Sequence, residues 1–182
     1  MGRREQAFTL IELMVTLAVL AIAVGLAVPS FQALFANNQR AEFSRELYVT
    51  LAQARSEAVA RNSLISVIPI DGDWLNGWQV IVDDDGDDLP DALDLASDGT
   101  LVEGAGLLSE VAFTNLNIEW VSETGALPRI RFNPGGRVLT AVSLTVCGNN
   151  ARDSREVSAR PAGVVQLRDL GSDTARFEAL CQ

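Results

Sequence analysis

The sequence has no lysine and no histidine; all fourteen of its basic residues are arginine. Without histidine there is no Ser–His or Cys–His nucleophile and no imidazole to hold a metal. Without lysine there is neither a Schiff-base amine nor a P-loop lysine. Most familiar enzyme mechanisms are thereby excluded. Aromatic residues are also few, at 6% of the 182 residues, and there are only two cysteines, Cys147 and Cys181. What is present is apolar material. At 48% hydrophobic residues the chain has enough for a core at single-domain length, which argues against disorder.

The net charge of −10 is unevenly placed. Residues 1–61 carry six arginines and five glutamates, net +1. Residues 62–128 carry fourteen acids and no base, net −14, and residues 129–182 carry eight arginines and five acids, net +3. The acidic middle reads as a solvated face. It also argues against a surface built to wrap nucleic acid, because phosphate binding needs positive potential.

No residue from Leu13 to Gln39 is charged, and Leu13–Val28 is apolar apart from Thr16 and Gly25. Counted back to Phe8, the run is about 20 residues, enough to cross a hydrocarbon core of roughly 30 Å as a helix. Arg3 and Arg4 precede it, which sets the short N-terminus in the cytoplasm and the remainder outside. A cleaved secretory signal, with Gly25-Leu26-Ala27 as its small-residue site, and a permanent anchor both fit this much. Two features favour the anchor. Glu12 places a carboxylate inside the apolar run, where a charge is costly unless it has a partner. Beyond Pro29 the helical pattern continues: Phe31, Leu34 and Phe35, then Phe43, Leu47, Leu51, Ala54 and Ala58 at spacings of three and four. Glu57 and Arg61 add a favourable i,i+4 pair. The whole predicts one helix of about 50 residues, half in lipid and half amphipathic, bent at Pro29.

The stretch Gln6-Ala7-Phe8-Thr9-Leu10-Ile11-Glu12 resembles the leader site of type IV pilins, whose usual form is Gly before Phe-Thr-Leu-Ile-Glu. The resemblance implies that prepilin peptidase cuts between Ala7 and Phe8, and that Phe8 becomes an N-methylated N-terminus. Glu12 is then expected to pair with the N-terminal amine of a neighbouring subunit during assembly, which supplies the partner its charge requires. Ala7 stands where the family usually has Gly, a departure that bears on the rate of processing.

After Asn62 the period changes from 3.6 to 2. Leu64–Ile70 and Gly77–Val82 read as strands joined by a turn at Asp71–Asp73. Val111–Phe113, Ile118–Val121, Arg129–Phe132, Val138–Cys147, Glu156–Ser158 and Gly163–Leu167 follow. Short strands with Gly, Pro, Asn and Asp turns indicate an antiparallel sheet or sandwich. The expected class is therefore α+β: a leader at 1–7, a long helix at 8–61 with its transmembrane part at about 8–28, and a soluble β-rich domain at 62–182.

Three features of this domain resemble the GspH/FimT group of minor pilins and pseudopilins: Trp74…Gly77-Trp78 ahead of an Asp-rich turn, Phe132-Asn133-Pro134-Gly135-Gly136-Arg137, and Cys147 ending a strand. With the leader, the resemblance covers nearly the whole chain and implies a pilin-like fold. Asn133–Gly136 is also a sound turn on its own, with Pro fixing φ and Gly supplying positive φ. Both cysteines lie in the segment placed outside the membrane, where an oxidising compartment makes a Cys147–Cys181 disulfide the natural reading. That pairing resembles the pilus-type branch of the family. Closing the loop stabilises by roughly 3–4 kcal/mol in the chain-entropy account.

Asp83, Asp85, Asp87, Asp91 and Asp94 fall at positions 1, 3, 5, 9 and 12 of an EF-hand-like loop, where oxygen ligands sit. A weak, extracellular-type calcium site is the version that fits. Against it, Gly86 is at position 4 rather than 6, Pro90 interrupts, and strands rather than helices flank the run.

The resemblance implies a non-enzymatic minor pilin or pseudopilin that helps to initiate and assemble a type IV pilus or a type II secretion pseudopilus, the cysteine pair favouring the pilus. Its implied partners are prepilin peptidase, a major pilin or pseudopilin and other minor subunits. It would be anchored in the inner membrane with the β-domain in the periplasm, and no cofactor is implied. A second reading is a DNA-binding minor pilin for DNA uptake. Some pilus-type members bind DNA through a C-terminal Gly-Arg-x-Lys motif, but the matching Gly163-Val164-Val165-Gln166 lacks both basic residues. Arg155, Arg160 and Arg168 are the nearby candidates. A membrane-anchored hydrolase using paired carboxylates is a third class, and nothing places two acids at a defined separation.

Overall fold

The computed structural model describes residues 10–181 except 87–105, 114, 115, 117, 124, 126 and 128; over residues 26–33 it describes the helical backbone without the side chains. The chain divides into two compact units, Met1–Asn38 and Gln39–Gln182, and helix α1 (Leu10–Arg61, 52 residues) contributes to both. Its length matches the helix expected from the periodicity. The helical backbone runs through Pro29, where the sequence places a bend.

In the first unit every described side chain from Leu10 to Gly25 is exposed, among them Leu10, Ile11, Met14, Val19 and Ile22. A helix that is apolar on all sides has no core-facing stripe of its own to bury.

In the second unit α1 behaves as an ordinary amphipathic helix. Of the predicted stripe, Phe43, Leu47, Leu51, Ala54 and Ala58 are each no more than 1% exposed, whereas Leu34 and Phe35, in the first unit, are exposed. The helix ends where Asn62 takes a left-handed φ of 54°, and the Ser63 N–H donates to the Ala58 carbonyl at 3.2 Å, which satisfies an end carbonyl of the last turn.

Among the described residues eight strands follow: β1 (Ile65–Pro69), β2 (Gly77–Val82), β3 (Leu107–Ala112), β4 (Glu119–Ser122), β5 (Ile130–Phe132), β6 (Val142–Cys147), β7 (Arg155–Ala159) and β8 (Val165–Asp169). They form two antiparallel sheets, in the orders β3-β2-β1-β5 and β4-β6-β7-β8. A short helix α2 (Thr174–Cys181) closes the chain. Three expectations change in detail. β3 spans Leu107–Ala112 and shares only Val111 and Ala112 with the expected Val111–Phe113. The β1–β2 connection is two successive 3-10 turns, Ile70–Gly72 and Trp74–Asn76, rather than one turn at Asp71–Asp73. The run Val138–Cys147 is not one strand: Val138 bridges Phe132 at the end of β5, and only Val142–Cys147 belongs to the second sheet.

One core joins the helix stripe to both sheets. Trp78 of β2 is at its centre, edge-on to Phe43 at 5.4 Å and within 5.4 Å of the Phe113 ring. Its indole N–H donates to Thr50 Oγ1 on α1 at 3.1 Å, and the Trp74 indole donates to the Leu127 carbonyl at 2.7 Å. Both large rings thus bury their carbon surface without stranding a donor.

Candidate functional site

The sequence marks four places, and the structure treats them differently. The leader comes first: Ala7 and Phe8 lie outside the described residues, while Glu12 sits in the first turn of α1 with an exposed side chain. A carboxylate near a helix N-terminus is favoured by the helix dipole. Among the described residues no helix is long and apolar enough to cross a membrane. The predicted span also takes in Phe8, Thr9 and the side chains of residues 26–28, which are not among those described.

The second is the Asn-Pro-Gly-Gly turn after β5. It does more than reverse the chain, because it docks on α1: Arg55 Nε donates to the Gly136 carbonyl at 3.1 Å. Gly136 (φ +69°) lies against Gly163 (φ +79°) so closely that a Cβ on Gly163 would sit 1.8 Å from the Gly136 oxygen. Glycine is required at Gly163 for both its backbone angle and its clearance. The family-like motif is thus a joint between α1, the β5–β6 turn and the β7–β8 turn.

The third is the acidic run. Asp83 is completely buried, accepts the Ser66 hydroxyl and lies 3.3 Å from Arg131, whose guanidinium also donates to the Gly86 carbonyl at 2.7 Å. Asp84 accepts the Leu64 N–H at 2.7 Å. The start of the run is therefore tied into the β1–β5 side of the first sheet, and Asp83 already faces a guanidinium. Asp85 is exposed; Asp87, Asp91 and Asp94 lie outside the described residues. Among the described residues no group of three or more carboxylate, cysteine or histidine side chains is placed to hold a metal ion.

The fourth is the C-terminal segment, where the Cys147–Cys181 disulfide joins the end of β6 to the end of α2 with Cα atoms 5.6 Å apart. Sequence reasoning found this bond but missed what accompanies it. Glu156 on β7, only 6% exposed, is a hub. It accepts from Ser143 on β6 at 2.8 Å and Arg168 on β8 at 2.6 Å, and Arg176 of α2 approaches it as a fork at 3.0 and 3.1 Å. Arg176 also pairs with Glu123 beyond β4 at 2.9 Å. Burial works to raise the Glu156 carboxyl, but hydrogen bonds from Arg168, Ser143 and Arg176 and the Arg176 charge outweigh it and hold it below the usual carboxylate range. Of the three candidate DNA-facing arginines, Arg168 is engaged by Glu156, Arg155 pairs with Asp169 at 3.0 Å, and Arg160 is exposed.

The sequence family described as type II transport protein GspH matches residues 44–163, which is the second half of α1 and the sheets through the β7–β8 turn. The chain belongs to the GspH family. A second pattern, the prokaryotic N-terminal methylation motif, matches residues 2–28 of this GspH-family chain. Comparison with curated proteins finds no match. Among solved structures, the type IV minor pilin FimU of Pseudomonas aeruginosa (strain PAO1) is 27% identical, covering 73% of this chain and 90% of that one, with a TM-score of 0.53. A second crystal form of FimU gives 28% identity, 71% and 92% coverage and a TM-score of 0.50. The minor pseudopilin EpsH from the type 2 secretion system of Vibrio cholerae is 15% identical, covers 74% and 99%, and has a TM-score of 0.47. The GspH-family fold is thus the pilin-like one expected, a long N-terminal helix followed by antiparallel sheets. The family is one of structural pilin and pseudopilin subunits, and its N-terminal motif implies processing by prepilin peptidase and anchoring in the inner membrane.

Proposed function

We propose that this GspH-family chain is a minor subunit that helps to initiate and assemble a type IV pilus. The observation that carries the reading is its likeness to the minor pilin FimU over nine-tenths of that chain, joined to an N-terminal methylation motif. The Cys147–Cys181 disulfide is in keeping with the pilus rather than the secretion branch. In this reading residues 1–7 are removed between Ala7 and Phe8, Phe8 is N-methylated, and the apolar first half of α1 holds the chain in the inner membrane before extraction into the filament. Glu12 then pairs with the terminal amine of a neighbour, and the β-domain occupies the periplasm.

Crosslinking in the membrane of the native organism, with mass spectrometry of the captured neighbours, tests this. Capture of a major pilin and pilus tip subunits is expected. Capture of a major pseudopilin and secretion components overturns the pilus assignment. Absence of both, together with a mature N-terminus other than Phe8, overturns the filament reading as well. DNA uptake remains the second reading; only Arg160 among its three candidates is outside the ion pairs described above. A gel shift at low salt tests it, since phosphate binding is strongest there.

A further inference from the structure

The two sheets end in edge strands that leave backbone groups unpaired among the described residues, and the two edges carry opposite charge. For β8 the hydrogen-bond pattern is fixed at both ends. The Arg160 N–H donates to the Val164 carbonyl at 3.0 Å and the Leu170 N–H to the Ser154 carbonyl at 3.0 Å. Antiparallel ladders alternate, so Gln166 and Arg168 exchange bonds with Ser158 and Glu156 of β7, while Val165, Leu167 and Asp169 turn their N–H and C=O groups outward. The strand has no proline, glycine or bulge between Val165 and Asp169, which are the devices that usually blunt an edge. Beside it lies a groove of about 600 Å³ floored by Tyr48 of α1 and Val165–Arg168. Arg168 keeps 54% of its side chain exposed despite its bond to Glu156, Arg160 is exposed at the preceding turn, and the acid at the strand's end, Asp169, is paired with Arg155.

The other edge, β3, carries the opposite sign and is less regular: a register shift opposite Val80/Ile81 leaves Leu108 unpaired, so Ser109–Ala112 is its regular part. Phe113 N–H donates to the Asn76 carbonyl at 3.1 Å, so by alternation Glu110 and Ala112 turn their backbone groups outward. A groove of about 310 Å³ runs between this strand and α1, lined by Gln53, Glu57, Leu108 and Ser109 among others. Glu57 of α1, half-buried and paired with Arg61 at 2.6 Å, lines it, while Glu110 is exposed on the other face of β3, where it accepts the Gln79 amide at 2.7 Å.

We infer that the β8 edge of one copy of this chain pairs with the β3 edge of a second copy, extending one sheet into the next through backbone hydrogen bonds and setting Arg168 against Glu110. The occupant is a second copy because this chain itself carries the complementary edge, with exposed Glu110 on β3 opposite in charge to Arg168 on β8. The contact is head-to-tail, so one copy retains a free β3 edge and the other a free β8 edge, and the association is open-ended. The inference does not depend on which filament machine the chain serves.

Sedimentation of the full chain in detergent micelles tests it with two variants. Leu167→Pro removes an outward N–H that β7 does not use, so the fold tolerates it as an edge-strand proline; Glu110→Arg reverses the charge of the β3 edge. Each variant alone is expected to self-associate at least ten-fold more weakly than the wild type. An equimolar mixture regains a dimer, formed from the intact β8 edge of Glu110→Arg and the intact β3 edge of Leu167→Pro, and that dimer grows no further. Should the proline variant unfold, Leu167→Asp carries the same test by placing a carboxylate against the acidic edge. A wild type that stays monomeric, a Glu110→Arg chain that associates as well as the wild type, or a mixture that gains no dimer each overturns the inference.

Discussion

The same helix has two fates. From Phe43 to Ala58 its apolar positions form one stripe and vanish into the chain's own core; from Leu10 to Val24 they point in every direction and none is buried. Length does not separate the two halves. What separates them is the presence of polar residues at the positions between. Arg45, Glu46, Gln53 and Glu57 give the second half a wet side, so it has a dry side to dock. The first half has no wet side and must find its surroundings outside this chain. A helix can therefore carry a folding instruction in one half and an assembly instruction in the other.

The largest way to break the comparison is to remove what the second half docks on. Trp78→Ala takes away the ring that meets Phe43 and Phe113 and leaves the Thr50 hydroxyl without its donor. The expected cost is about 3–5 kcal/mol, measured as a lower denaturant midpoint of the domain. Next comes the tail. Replacing both Cys147 and Cys181 by serine opens a loop with a sequence separation of 34 residues. The expected loss is roughly 3–4 kcal/mol, again by denaturant unfolding. A loss near zero would mean that Arg176 and Glu156 hold α2 unaided.

A smaller effect is expected from acid. Glu156 is held below the usual carboxylate range in the folded chain, so the unfolded chain takes up its proton first as pH falls. The stability this contributes is complete above the ordinary carboxylate pKa of about 4.3 and is lost as pH drops through the lower folded value. Glu156→Gln should therefore be less stable than the wild type at pH 7, and the difference should shrink on acidification below about pH 4. Parallel thermal melts of the two proteins against pH measure it; a gap that widens in acid would contradict the hub.

How much of this was legible in the sequence depended on how local each cause was. The bounds of β2 and the whole buried stripe of α1 were readable, because period and turn residues sit in the same few positions as the structure they specify. The missing detail comes from partners far along the chain. Helix α2 has only eight residues and one local mark, Asp173, whose carboxylate accepts the Arg176 N–H at 3.1 Å; Cys147 and Glu156 hold it from other strands. The acidic run looked uniformly solvated, yet Asp83 is buried because Ser66 and Arg131, 17 residues before it and 48 after it, converge there. Val138–Cys147 read as one strand because alternation continues across the point where the chain leaves one sheet for the other.

The smallest effect on folding is expected where the first half carries its one charge. Glu12 lies in the unit Met1–Asn38, whereas the core, both sheets and the disulfide belong to Gln39–Gln182. Glu12→Ala should leave the denaturant midpoint of the β-domain within about 0.5 kcal/mol of the wild type, as for a substitution outside the domain's core. It should also leave membrane insertion intact, since removing a charge from an apolar run makes that run easier to place in lipid. Incorporation into filaments, read by the amount of this chain recovered in sheared or crosslinked filament fractions, should fall. Unchanged stability with reduced incorporation would mean that the first half of α1 acts only between chains. Normal incorporation would remove the ion pair from the assembly step, leaving the apolar surface alone to select the neighbours.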